Sequence, residues 1–164
     1  MASAKLGKCL IAIRLRGMPR ANPDTKFTLR LLRLPKKHNA MILHETPSIN
    51  GMLKKVKDLI TWGEATEESI YLLLSKRGRT IGNLRLTDEV VKREFGYSSI
   101  KELAKAVFNG EVSIKKLWKM NLKLPFRLSP PSKGFKGSIK TQFKIGGELG
   151  YRGEKINELL ARMI

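Results

Sequence analysis

The sequence is poor in the residues that build metal centres and covalent cross-links: its 164 residues include one cysteine, Cys9, and two histidines, His38 and His44. One thiol excludes an internal disulfide framework. Without Cys-x-x-Cys pairs or a matching histidine spacing there is no cysteine-based zinc site either. The two histidines stand six positions apart with no carboxylates clustered around them, so a solvated or nucleic-acid-facing role is expected for both and no metal ligand is assigned. Long apolar runs are also missing. The longest, Cys9 to Ile13 and Ile70 to Leu74, are five residues each, against the roughly 20 that a membrane-spanning helix needs. Lys5 and Lys8 ahead of Cys9 imitate the start of a signal peptide, but Arg14 ends that run short of the usual apolar core of about 7 or more residues. A cytosolic protein is expected. Acidic residues are the remaining scarcity: 14 Asp and Glu face 33 Lys and Arg, a formal net charge of +19.

What is present is a chain able to fold. A hydrophobic fraction of 41% over this length suits one domain, or a compact core with an extension. The positive charge is uneven. Residues 1–60 carry 13 basic and 3 acidic side chains, 61–120 carry 11 and 8, and 121–164 carry 9 and 3. From Val112 to Gly147 there are nine basic residues, Lys115, Lys116, Lys119, Lys123, Arg127, Lys133, Lys136, Lys140 and Lys144, and no acid. Met1 to Pro23 is a second acid-free window. A merely solvated face mixes both signs to limit self-repulsion, so segments stripped of acid point to a polyanionic partner.

Patterning places these charges on elements. Cys9 to Arg16 alternates Ile11, Ile13 and Leu15 against Ala12, Arg14 and Arg16, the period of a half-buried strand. A helix is expected over Thr25 to Leu34, capped by Asn22 or Asp24, with Phe27, Leu31 and Leu34 inward and Pro35 as its stop. Ala40 to His44 reads as a second strand. Thr46 and Pro47 open a helix whose stripe is Ile49, Met52, Leu53, Val56 and Leu59, and Ile60 to Glu64 reads as a third strand. The expected core is therefore β-α-β-α-β over residues 1–66, with an antiparallel three-stranded sheet and both helices on one face. Residues 67–164 read as a helical extension: Glu67 to Lys76, a helix from Thr87 to about Gly96, and one from Ser99 with Ile100, Leu103, Val107 and Phe108 inward. A Pro-, Gly- and Lys-rich arm over Leu124 to Lys144 follows, extended or looped with room for one short strand, and then a terminal helix, Glu154 to Met163, that buries Ile156, Leu159, Leu160 and Met163. The fold class is α+β. Trp62 and Trp118 are assigned to the core.

No catalytic constellation assembles. Glu67, Glu68, Asp88, Glu89 and Glu102 sit where helix caps explain them. Gly146, Gly147, Gly150 and Gly153 invite a phosphate-loop reading, but IGGELGYRGEK lacks the Gly-Lys-Ser/Thr ending of such a loop and reads as a tight turn. No cofactor and no small-molecule substrate is indicated. Nucleic-acid binding asks for clustered cations on rigid elements, with aromatic or arginine planes for exposed bases. Arg14, Arg16 and Arg20 flank the first strand and its loop; Lys26, Arg30 and Arg33 follow on the helix; Lys36 and Lys37 close it. Arg127, Lys133, Lys136, Lys140 and Lys144 supply the arm. Phe126, Phe135 and Phe143 are expected to pack the arm onto its own domain more than to stack on bases.

Read in order, IAIRLRG, TLRLLRL, TPSINGMLKKVKDLITWG, SKRG, LTDEVVKREFG, LPFRLSPP and IGGELGYRGEKINELLARMI span nearly the whole chain. In this register they resemble the large-subunit ribosomal protein L-thirty family in its longer archaeal form, akin to eukaryotic ribosomal protein L-seven. The resemblance implies a ferredoxin-like-related core, a non-catalytic place in the large ribosomal subunit, and as partners large-subunit ribosomal RNA and neighbouring ribosomal proteins. It implies RNA contacts around the first strand, loop and helix, carried here by Arg14, Arg16, Arg20, Lys26, Arg30 and Lys36. The short stretch ahead of the first strand, and a single glutamine amid many Lys and Glu, fit an archaeal and thermophilic source. The competing readings are a free-standing nucleic-acid-binding regulator and a nucleotide-dependent enzyme built on the Gly146 to Gly153 loop.

Overall fold

The computed structural model describes residues 6–17, 20 and 22–164. Among these, the chain runs β1 (Cys9–Arg14), α1 (Pro23–Leu31), β2 (Asn39–His44), α2 (Pro47–Lys55), β3 (Ile60–Glu64), α3 (Glu67–Arg77), α4 (Asp88–Phe95), α5 (Ile100–Phe108), α6 (Ile114–Lys119), β4 (Phe126–Arg127), β5 (Gly150–Tyr151) and α7 (Ile156–Met163). The acid-free start and the loop after β1 are described only in part, with residues 1–5, Met18, Pro19 and Ala21 outside the described set.

The strand order is β4-β2-β1-β3-β5. The three core strands pair antiparallel, with Ile11 opposite Ile42 on one side and Gly63 on the other. The expected three-stranded sheet is nevertheless too small. The second half of the chain adds β4 antiparallel to β2 and β5 parallel to β3, giving five strands among the described residues. Each added strand is two residues long, a length that closes the sheet's edge without leaving a long row of unpaired amides. Because β1 is central, all six of its residues are buried. The half-buried strand with charge on its outer face is thus corrected: both faces of β1 are covered, and Arg14 is inside.

Helix starts follow from local hydrogen bonding. The Thr46 hydroxyl accepts from the Ile49 amide at 3.1 Å and Thr66 from Ser69 at 3.2 Å, while Ser99 caps α5 and Ser113 caps α6. The end of α1 departs from expectation. It stops at Leu31 because Arg33 turns to φ 58°, and the Leu34 amide then reaches the Leu29 carbonyl at 2.8 Å while Arg33 reaches Arg30 at 3.0 Å. That is a Schellman closure with arginine where glycine is usual. The buried set is Thr28, Leu29, Leu32 and Leu34, with Leu34 reached through this turn rather than along the helix, and Phe27 is 58% and Leu31 55% exposed. Phe108 and Trp118 are also exposed, against expectation.

The terminal helix buries Ile156, Leu159, Leu160 and Met163 as its spacing predicts. Its entry lies so close to β3 that a Cβ on Gly63 would run into the Gly153 carbonyl oxygen. The loop ahead of it is built around a buried ion pair. Arg152 donates to Glu148 Oε2 at 2.6 Å and to Thr61 Oγ1 at 2.8 Å, with its guanidinium over the Phe143 ring. Phe126 is 1% exposed and Phe135 packs against the core, so the arm is fastened to the body by its own aromatics. Cys9 is buried and its thiol is pushed up to about 12, which makes it inert at neutral pH.

Candidate nucleic-acid interface

The basic residues around β1 divide into one that builds the surface and several that form it. Arg14 donates from Nη1 to the Leu34 and Pro35 carbonyls at 3.1 and 2.7 Å, and from Nε to the Arg16 carbonyl at 2.9 Å. Its burial pulls the guanidinium pKa below the ordinary value, yet three carbonyl acceptors hold it charged. The expectation that Arg14 faces RNA is therefore corrected. It shapes the loop that follows, because those carbonyls belong to Leu34 and Pro35, immediately before Lys36 and Lys37, both exposed. His38, at φ 65°, completes the turn through its amide bond to the Arg14 carbonyl at 2.7 Å. Burial and Lys37 together hold its imidazole below the ordinary pKa.

Lys26 and Arg30 are exposed on α1, on the same side as Phe27 and Leu31. The apolar side chains expected to point inward instead share an outward face with cations, a mixture suited to an RNA backbone and its sugars. Arg33 is only half-exposed, since its guanidinium lies 4.1 Å from the Trp118 ring centroid. That contact brings α6 beside the end of α1, and with it the exposed Lys115, Lys116 and Lys119. Arg16 is half-buried and Arg20 exposed, the latter between residues outside the described set.

The arm residues separate into two places. Arg127 sits on β4 opposite Asn39, and the Leu128 amide donates to the His38 carbonyl at 3.1 Å, so Arg127 adjoins the Lys36–Lys37 loop. Lys133, Lys136, Lys140 and Lys144 are exposed on the segment tied to α7 through Ser129 and Ser132. The Gly146 to Gly153 turn is structural: the amides of Gly146, Gly147, Glu148 and Leu149 are already bonded to Phe143, Gln142, Thr141 and Ser138 carbonyls. They are not aimed at a phosphate. Among the described residues no group of His, Cys, Asp and Glu could hold a metal, and no helix is long and apolar enough to cross a membrane.

The model of the family described as ribosomal protein L30p/L7e matches residues 10–60. Curated relatives match far more of the chain. The large ribosomal subunit protein uL30 of Sulfurisphaera tokodaii is 46% identical over 152 residues, covering 93% of this chain and 96% of that protein. Those of Methanosphaera stadtmanae and Staphylothermus marinus are 48% and 50% identical over 93% of this chain. The chain belongs to the uL30 family. Within this chain, residues 10–60 run from β1 to the start of β3, and they carry the Arg14-organised loop. Everything that widens the sheet lies beyond them. Sequence reasoning missed Arg77 and Arg79 as surface cations grouped with Lys123 and Arg127 around one cleft. The run SKRGR held the signal, but a helix end explains Arg77 locally, and nothing short-range reveals that α3 meets β4.

Proposed function

We propose that this chain is a structural, non-enzymatic constituent of the large ribosomal subunit, acting in the cytoplasmic ribosome by binding large-subunit ribosomal RNA beside neighbouring ribosomal proteins. The observation that carries the reading is identity of 45–50% with uL30 proteins across more than nine-tenths of the chain. In this reading residues 1–66 are a ferredoxin-like-related core, and 67–164 an archaeal-type extension that completes the sheet. Arg16, Arg20, Lys26, Arg30, Lys36 and Lys37 contact RNA from the core. Arg127, Lys133, Lys136, Lys140 and Lys144 contact it from the arm, and Arg33 contributes from the Trp118 stack.

The mechanism is rigid presentation of cations. A folded scaffold fixes their spacing, so recognition reads RNA shape and phosphate positions more than base edges. Each neutralised phosphate releases counterions, so log K against log salt should fall by roughly 0.7 to 0.9 per contact. Binding of the purified chain to large-subunit ribosomal RNA across a salt series tests this. A steep negative slope is expected; a flat response would contradict it.

A further inference from the structure

We propose that the cleft between the end of α3 and β4 is a preformed notch for one phosphodiester of the bound RNA. This deepens the RNA-binding reading above and rests on it. The cleft is lined by Arg77, Arg79, Asn83, Lys123, Pro125 and Arg127: four cations, one amide donor and no carboxylate.

Short connections from three parts of the chain assemble it. The Lys123 amide donates to the Arg79 carbonyl at 2.8 Å and the Ile81 amide to the Asn121 carbonyl at 2.9 Å, so the turn after α3 is stitched to the segment after α6. Thr80 bridges Leu122 in the same stitch. Arg77 is steadied by a bond from Nη2 to Ser129 Oγ at 2.8 Å. Arg127 is aimed outward because its neighbour Phe126 is the residue of β4 that enters the core.

Four positive charges around one concavity repel one another, and among the described residues none of the four has a carboxylate partner. Elsewhere the same chain does pair its cations, as in Arg152 with Glu148 and Lys55 with Asp24. The end of α3 accounts for Arg77 alone, since Arg79, Lys123 and Arg127 lie outside that helix. Planar guanidinium forks beside an ammonium and an amide donor match the several acceptor oxygens of a phosphate. The notch also adjoins the Lys36–Lys37 loop, through the Asn39–Arg127 pairing and the Leu128 to His38 bond. One RNA strand crossing that loop continues into it.

The test compares the wild-type chain, Arg79→Gln/Lys123→Gln, and the control Lys92→Gln/Lys105→Gln, which removes two exposed cations from α4 and α5. Each is titrated with large-subunit ribosomal RNA across a salt series. The notch pair should bind more weakly and lose about 0.7 to 0.9, the share of one phosphate, from the log–log slope, whereas the control keeps the wild-type slope. Lysine acetylation of the wild-type chain read by mass spectrometry needs no variant to fold: Lys123 should be protected by RNA, and Lys92 should not. Equal slopes for all three proteins, equal losses in notch and control pairs, or unprotected Lys123 would each overturn the notch. A wild-type chain that does not bind this RNA at all would overturn the RNA-binding reading itself.

Discussion

Replacing Arg14 with methionine keeps a buried stem of similar length and removes the charged fork that holds the turn after α1. Three bonds, at 2.9, 3.1 and 2.7 Å, are lost at once. Hydrogen bonds from a charged donor are worth about 1.5–3 kcal/mol each, but these share one guanidinium whose own burial is unfavourable, so the net loss is about 2–4 kcal/mol. At this chain length each kcal/mol lowers the melting temperature by about 2–4 °C, which makes a fall of roughly 5–15 °C. RNA affinity should fall too, because the Lys36–Lys37 loop is no longer held in place. Its salt slope should stay that of the wild type, since no phosphate contact has gone. Thermal melts and a salt-titrated binding series, run side by side, separate the two effects. A slope shallower by about 0.7–0.9 with an unchanged melting temperature would make Arg14 a direct phosphate ligand and refute the argument.

Three further outcomes follow from the packing and the charges. Arg152→Met leaves the Glu148 carboxylate, 6% exposed, without its partner; urea unfolding should show a loss of about 3–5 kcal/mol, and a loss below about 1 would show the pair to be dispensable. Gly63→Ala forces α7 away from β3 and should lower the urea midpoint by the equivalent of about 1–3 kcal/mol or more, with wild-type stability as the contrary result. His38 is held below its ordinary pKa, so the unfolded chain takes up this proton more readily than the folded one. The stability its neutral ring contributes is present above about pH 6.5 and is lost as pH falls below that value. His38→Asn tolerates the φ of 65° and should flatten this acid-side decline in the urea midpoint; identical pH profiles would exclude the histidine as its source.

Features set by neighbours in sequence were legible, and features set by distant pairing were not. Caps at Thr46, Thr66, Thr87 and Ser99 need only the next three residues, so the starts of α2 to α5 were readable. The strand Ile60–Glu64 was readable from composition and its flanks. The end of α1 was misread because a Schellman closure usually announces itself with glycine, and here Arg33 takes the left-handed position. That turn takes Leu34 out of the helical register, so its burial says nothing of Phe27 and Leu31, which face outward, while Arg33 lies over Trp118. Helix α6 was hidden within a charge run; its Ser113 cap was available as a signal. One short strand in the arm was open to the sequence, but the two-residue edge strands β4 and β5 pair with partners far away in sequence, and their places in the sheet leave no periodicity to read.

At the site, charge counting identified a basic surface but could not sort cations by job. Arg14 and Lys36 look equally basic in the sequence, yet one is buried among carbonyls and the other is exposed beside the turn it builds. Burial is what separates them. The same limit hid the Arg77, Arg79, Lys123 and Arg127 cleft, whose members are brought together only when the turn after α3 is bonded to the segment after α6.

The most direct test of the central claim is sedimentation of native particles through a high-salt gradient, with mass spectrometry of the large-subunit fraction. The account predicts that this chain stays with large ribosomal subunits in a one-to-one ratio with their established proteins. Its absence from those particles, with the chain recovered free or on other nucleic acid, would contradict the account.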